Sequence, residues 1–287
     1  MNRKLDQPEQ RCTAETVPTS AATSCSLADL PVDQIICGDN CDVLGTFPRD
    51  CIDLVVTSPP YDDLRTYGGH DWDFYGVAWQ LKRVLKPGGV VVWVVADQTK
   101  NGSETGTSFE QALYFRRLGL NLHDTMIYQR WGAPRLGIGQ DVRYVNEFEF
   151  MFVLSAGKPA TANILKRPCK QAGQRKKAWA RDNHTDAKSR YEYVTSEETL
   201  RGNVWNMLAG GRSSVGESHP AVFPDELAED HIRSWSNEGD IVLDPFNGSG
   251  TTCKAARELG RRFIGIDVNQ EYCELARNRI AQKLLFA

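Results

Sequence analysis

Two stretches of this 287-residue sequence combine residue types that could do chemistry. The first is Thr57-Ser58-Pro59-Pro60-Tyr61, which follows the apolar run Ile52-Asp53-Leu54-Val55-Val56. Two consecutive prolines end the strand, fix an extended backbone and bring no N–H of their own, so nearby carbonyls can accept from a donor without backbone competition. Tyr61 adds a ring on which a planar base could stack, worth about 1–3 kcal/mol. The corner suits a flat ligand carrying an NH2 group. A proline turn over a buried tyrosine is the structural alternative.

The second stretch follows Ile241-Val242-Leu243 and reads Asp244-Pro245-Phe246-Asn247-Gly248-Ser249-Gly250-Thr251-Thr252. Gly248 and Gly250 let the backbone turn tightly and approach a ligand, and the helix expected at 252–259 offers its free N–H groups to a negative group. Asp267, 17 residues past Gly250 and just after Phe263-Ile264-Gly265-Ile266, is placed to accept from ribose hydroxyls. This is the outline of a nucleoside-cofactor pocket. The third glycine of a dinucleotide fingerprint is missing, since Cys253 follows Thr252.

The elements that must position these stretches alternate between strand and helix. Gln34–Cys37 and Ile52–Thr57 read as strands, and Phe74–Leu85 as a helix stopped by Lys86-Pro87-Gly88-Gly89. Val90–Ala96 reads as a strand buried on both faces. A helix at 108–118 and strands near 123–129 and 147–154 follow, with a Gly/Pro-rich loop over Trp131–Gln140 between those strands. A helix at 222–235 precedes the C-terminal βαβ unit. The order predicts an α/β fold with a mostly parallel sheet and helices on both faces.

Composition excludes several classes. Hydrophobic residues make up 41% and charged residues 25%, as in soluble globular proteins. The longest apolar run, Val90–Ala96, is far short of the roughly 20 residues that cross a bilayer, so no membrane partner is expected. The eight cysteines form no CxxC pair, which predicts no metal site and no disulfide framework, and a cytoplasmic location. Residues 1–30, rich in Ser, Thr, Pro and Gln, read as a disordered tail.

The net charge of −3 hides a segregated pattern. Gly157–Arg190 holds ten basic residues against Asp182 and Asp186, an excess of eight, so the rest of the chain carries an excess of eleven negative charges. One polyanion-facing surface on an acidic body is the functional reading, and a solvated lysine-rich loop the bland one. Arg175, Lys176, Lys177 and Trp179 are its candidate polyanion contacts, with Arg130, Arg135 and Arg143 around the neighbouring loop.

The two motifs together resemble the S-adenosylmethionine-dependent DNA amino-methyltransferases, whose catalytic and cofactor motifs read (S/N/D)PP(Y/F) and DPFxGSGTT. Gly38-Asp39, Arg83–Gly89, Asn146-Glu147-Phe148-Glu149 and His219-Pro220-Ala221 extend the match, which covers about residues 34 to 281. The catalytic motif precedes the cofactor motif, with the basic segment between them, as in the circularly permuted β class. The resemblance implies a Rossmann-like methyltransferase fold in which 31–156 is the catalytic half, 157–202 a basic target-recognition insertion and 203–287 the cofactor-binding half. It implies that Ser58, Pro59, Pro60 and Tyr61 hold the target base. It also implies that Asp39, Pro220, Asp244, Pro245, Phe246, Gly248, Gly250, Thr251, Thr252 and Asp267 form the S-adenosylmethionine site.

Double-stranded DNA is then the substrate, and a base within it must be flipped out to present its amine. Serine at the first catalytic position points, within the family, to cytosine N4, although a hydroxyl and a carboxylate can both accept an amine N–H, so adenine N6 is the alternative. More distant alternatives are a dinucleotide-dependent oxidoreductase, a non-catalytic DNA-binding module, and methylation of RNA or protein. The resemblance also brings in a companion restriction endonuclease and a second copy of the chain as partners, and a nucleoid association; the sequence carries no signal for any of these. If the basic segment binds DNA, replacing Arg175, Lys176 and Lys177 together will weaken binding and flatten the plot of log K against log salt by about 0.9 for each phosphate that is no longer neutralised. An unchanged slope in a binding titration would move the DNA surface elsewhere.

Overall fold

A computed structural model of the chain describes residues 30–60, 72–131, 143–181, 188–208 and 223–282. Tyr61, Arg135, Pro220 and the expected tail before Leu30 lie outside the described residues. Along the chain the elements are β1 (Gln34–Cys37), α1 (Asn40–Gly45), β2 (Ile52–Thr57), α2 (Phe74–Val84), β3 (Leu85–Val95), β4 (Thr99–Lys100), β5 (Ser103–Glu104), α3 (Thr107–Arg117), β6 (Asn121–Trp131) and β7 (Phe148–Ser155). There follow β8 (Lys166–Pro168), β9 (Arg175–Arg181), β10 (Lys188–Val194), β11 (Glu198–Leu200), β12 (Val204–Leu208), α4 (Asp225–Trp235), β13 (Ile241–Asp244), α5 (Thr251–Glu258), β14 (Arg262–Asp267) and α6 (Gln270–Gln282).

Eight of these strands form one sheet in the order β1-β14-β13-β2-β3-β7-β6-β12. Only β7 runs against its neighbours, β3 and β6; the other adjacent pairs are parallel. From β2 the chain passes through α2 to β3 on one side, whereas from β13 it passes through α5 to β14 on the other. The winding direction therefore reverses between β2 and β13, which are paired at Leu54–Val242 and Val55–Leu243. Open α/β sheets hold their ligands at the carboxyl ends of strands flanking such a switch point.

Alternation along the strands divides the core in two. Leu54, Val56, Val90, Val92, Val94, Met151 and Val242 cluster with Leu227 and Ile232 of α4, Ala256 of α5, and Ala276 and Ile280 of α6. Val55, Val91, Trp93, Val95, Phe152, Leu243 and Ile264 cluster instead with Leu44 of α1, Leu81 and Val84 of α2, and Phe115 of α3. Leu30, at the end of the expected tail, is buried in that second cluster. A sheet covered by helices on both faces explains why Val90–Val95 is an unbroken apolar run.

Two local expectations are corrected. Lys86–Gly89 is not a turn between helix and strand: β3 begins at Leu85 and carries these residues as an irregularity in its pairing with β2. Pro87 needs no N–H there, the Gly88 N–H donates to the Ala156 carbonyl, and Gly88 takes φ 80°, where a Cβ would lie 2.8 Å from that of Ala160. Trp131 belongs to β6 rather than to the loop expected over Trp131–Gln140, and residues 132–140 of that expectation lie outside the described residues. In the expected insertion at 157–202, the described residues form two antiparallel ribbons, β8 with β11 and β9 with β10.

Trp93 is fully buried, donates its indole N–H to Gln111 Oε1 at 2.8 Å and packs edge-on against Phe115 and Phe246. Trp93→Ala should cost about 3–5 kcal/mol in urea unfolding, the cost of emptying a large aromatic site. A loss below about 1 kcal/mol would be at odds with this packing.

Candidate active site

The carboxyl ends of β2 and β13 are joined by a side-chain hydrogen bond. The Thr57 hydroxyl donates to Asp244 Oδ1 at 2.7 Å, and both residues are buried. The same carboxylate oxygen accepts the Phe246 N–H at 3.1 Å, which bends the chain out of β13. A second tie comes from α5, where the Thr252 hydroxyl donates to the Val56 carbonyl at 3.2 Å. Burial pushes the Asp244 carboxyl up to about 6, against the lowering effect of the bonds from Thr57 and Phe246.

The glycine loop is anchored on its other side to β14. Asn247 N–H donates to the Ile266 carbonyl at 2.9 Å, and Gly248 N–H donates to Asp267 Oδ2 at 2.7 Å. Asp267 Oδ1 accepts the Asn269 N–H at 2.9 Å, and the Asp267 carbonyl accepts the Gly38 N–H at 2.9 Å. Burial raises the Asp267 carboxyl above its ordinary value. Asn40 Nδ2 donates to the Pro245 carbonyl at 3.3 Å, while Asp39 caps α1 by accepting the Asp42 N–H. The ends of β1, β14, β13 and β2 thus form one continuous rim. Gly250, at φ 83°, leaves room for Ala276, whose Cβ would lie 2.8 Å from an added one. From α6, Arg279 donates to both the carbonyl and the hydroxyl of Ser249 at 2.7 Å.

The loop's unused polar groups define what it could hold. Among the described residues the buried Thr251 hydroxyl and Asn247 Oδ1 have no hydrogen-bond partner, and α5 starts at Thr251 after Gly250 without a side-chain cap. A helix start with uncapped N–H groups accepts a negative group. Each Asp267 carboxylate oxygen spends one lone pair on a backbone N–H and keeps another for a hydroxyl. A ligand with a carboxylate at one end and ribose hydroxyls further along meets these demands.

Ser58, Pro59 and Pro60 leave β2 directly after Thr57, so the first three residues of the expected catalytic motif sit beside the turn that follows β13. Phe246 packs its ring edge-on against Trp72, 5.0 Å away and two residues before α2. The expected DNA contacts divide. Arg130 pairs with Glu149 at 3.5 Å and donates to the Asn146 carbonyl, and Arg143 donates to the Gly102 carbonyl. Arg175, Lys176, Lys177 and Trp179 all belong to β9. Sequence reasoning missed Thr57, Asn40, Asn247 and Arg279. Thr57 had the one available signal, standing between a strand and the prolines.

A parallel-sheet switch point with a nucleoside-type glycine loop on one strand and a diproline corner on its neighbour defines a group-transfer enzyme of the methyltransferase fold. A DNA methylase family model, N6_N4_Mtase, matches residues 52–278, a span that includes both motifs, and the chain belongs to that family. Over 253 residues it is 46% identical to the orphan methyltransferase M.BamHII of Bacillus amyloliquefaciens, covering 82% of this chain and 91% of that protein. TTHA0409 of Thermus thermophilus, solved in complex with S-adenosyl-L-methionine, is 26% identical with a TM-score of 0.58 over 88% of this chain and 95% of its own. The PvuII DNA methyltransferase (cytosine-N4-specific), 19% identical with a TM-score of 0.66 over 86% of each chain, shows the same fold. The chain is therefore a DNA methyltransferase that uses S-adenosylmethionine, and the oxidoreductase reading falls away. Among the described residues no cluster could hold a metal ion and no helix is long and apolar enough to cross a membrane.

Asp244 holds its proton more tightly in the folded protein, at about 6, than at the ordinary value of 3.8. Its contribution to stability is complete below that lower value and is lost as pH rises through about 6. Relative to Asp244→Asn, the wild type should lose about 1 kcal/mol between about pH 5 and about pH 8 in urea unfolding. Parallel pH profiles for the two proteins would contradict the burial of an ionisable Asp244.

Proposed function

We propose that the chain is a cytosine-N4 DNA methyltransferase acting on a base flipped out of the duplex. The observation that carries this reading is the Ser58-Pro59-Pro60 corner beside the Asp244–Thr252 turn, at the ends of paired strands. When bound, S-adenosylmethionine supplies an electrophilic methyl group on a sulfonium centre. The Thr251 hydroxyl and the start of α5 would hold its carboxylate end, and Asp267 its ribose. Asp39 and Phe246 would lie towards its adenine, with Pro220 near the carboxylate end.

The exocyclic amine of cytosine is a weak nucleophile, because its lone pair is delocalised into the ring. The Pro59 carbonyl and the Ser58 hydroxyl would accept its two N–H bonds, drawing the nitrogen towards tetrahedral geometry for in-line attack. Transfer would form the N–C bond as the S–C bond breaks, and the amine, then cationic, would release its extra proton to water. Ser58 need not act as a strong base. Pro60 holds the corner and Tyr61 offers the stacking ring. A neutral serine, rather than a carboxylate, at the first motif position supports cytosine over adenine. The reading requires neither a companion restriction endonuclease nor a second copy of the chain.

DNA from cells expressing the chain, digested to nucleosides, should contain N4-methylcytosine; N6-methyladenine in its place would overturn the choice of base. Ser58→Ala should lower kcat for methyl transfer by about 10²-fold, comparable to deleting one hydrogen bond aimed at developing charge, with S-adenosylmethionine affinity unchanged. Full activity in that variant would remove Ser58 from the reaction.

A further inference from the structure

The arm that carries the excess positive charge is a ribbon with two unlike faces. β9 and β10 pair with Arg175 opposite Val194, Lys177 opposite Glu192 and Trp179 opposite Arg190, alternating with Lys176 opposite Tyr193 and Ala178 opposite Tyr191. Successive side chains on a strand point to opposite faces, so the first three pairs share one face and the last two the other. Tyr191 and Tyr193 stand 5.9 Å apart on theirs. On the first face, Lys177 is neutralised by Glu192 at 3.0 Å. Trp179 is 66% exposed, with the Arg190 guanidinium 5.8 Å from its ring centroid. No carboxylate among the described residues pairs with Arg190 or Arg175.

A guanidinium lying over an indole keeps its plane, while its N–H donors, which lie along the edge of that plane, remain available to two adjacent acceptors. The major-groove edge of guanine presents such a pair, O6 and N7, and a two-stranded ribbon is narrow enough to enter that groove. We infer that the β9–β10 ribbon reads the major groove, with Arg190, oriented by Trp179, contacting a guanine of the recognition site. The inference rests on the reading of the chain as a DNA methyltransferase and extends it to a specificity-determining residue, Arg190, and a positioning residue, Trp179. Charge complementarity favours this occupant: the segment is strongly basic while the remainder of the chain is acidic.

The test uses the full chain and duplexes carrying its methylation motif, defined by single-molecule sequencing of DNA from expressing cells. Each guanine of the motif is replaced in turn by 7-deazaguanine, which lacks the N7 acceptor. The wild type should lose kcat/KM at one guanine position. Arg190→Ala should lose roughly 5- to 150-fold on the unmodified motif, the range of one bidentate contact, be indifferent to 7-deazaguanine at that position and accept other base pairs there. Trp179→Ala should relax the same position, and Trp179→Phe should restore it. S-adenosylmethionine affinity, unchanged in every variant, reports that the body is folded. Arg190→Ala with wild-type motif and 7-deazaguanine sensitivity, or with an equal loss on every duplex as a phosphate contact would give, overturns the inference. So does a motif without a G·C pair. A wild-type chain that methylates no DNA would instead remove the reading beneath it.

Discussion

The hydrogen bond between the Thr57 hydroxyl and the Asp244 carboxylate is the constraint on which the site depends. The two residues are 187 positions apart in sequence, yet each ends a strand, and the strands are neighbours across the point where the sheet reverses its winding. The residue after Thr57 opens the diproline corner, and the residues after Asp244 form the glycine turn. A bond at that junction fixes the diproline corner and the glycine turn relative to one another. In a dry, buried setting it is worth more than an exposed pair, because water cannot compete for either partner. A carboxylate so placed would be costly if left unpaired, so bond and fold reinforce each other.

The rest of the rim repeats this device with backbone groups. Asp267 accepts N–H groups from the glycine loop and from the start of the segment leading to α6, and its own carbonyl holds the turn after β1. Arg279 and Gly250 dock the loop on α6. A pre-organised cradle of this kind loses little freedom when a ligand arrives, which favours binding and orientation. The basic arm is built differently. Its short ribbons keep most of their described side chains exposed, and opposed pairs such as Lys177–Glu192 and Trp179–Arg190 order its surface without an apolar core. The division sets a rigid, hydrogen-bonded rim against a solvated, exposed arm.

Much of this was legible in the sequence because burial leaves a mark there. The apolar runs at Ile52–Thr57, Val90–Val95 and Ile241–Leu243 became central strands, and the motif residues lie at their ends. What escaped has physical causes. The β9–β10 ribbon has no apolar periodicity, since both of its faces are largely solvated and its order comes from cross-strand pairing. Helix α6 buries Cys273, Ala276 and Ile280, small or unassuming residues at helical spacing that mute the hydrophobic signal. Lys86-Pro87-Gly88-Gly89 carries the chemistry of a turn yet sits inside β3, where the glycines permit an irregular ladder. The role of Thr57 depends on a partner that only the folded sheet reveals.

The measurement that bears most directly on the central claim is a double-mutant cycle between Thr57→Val and Asp244→Ala, read as kcat for methyl transfer and as S-adenosylmethionine affinity. If the bond couples the two segments, the second substitution costs less once the first is made than it does alone, with an interaction energy of about 1–3 kcal/mol. Strictly additive losses would mean that the diproline corner and the glycine turn are positioned independently, contrary to this account.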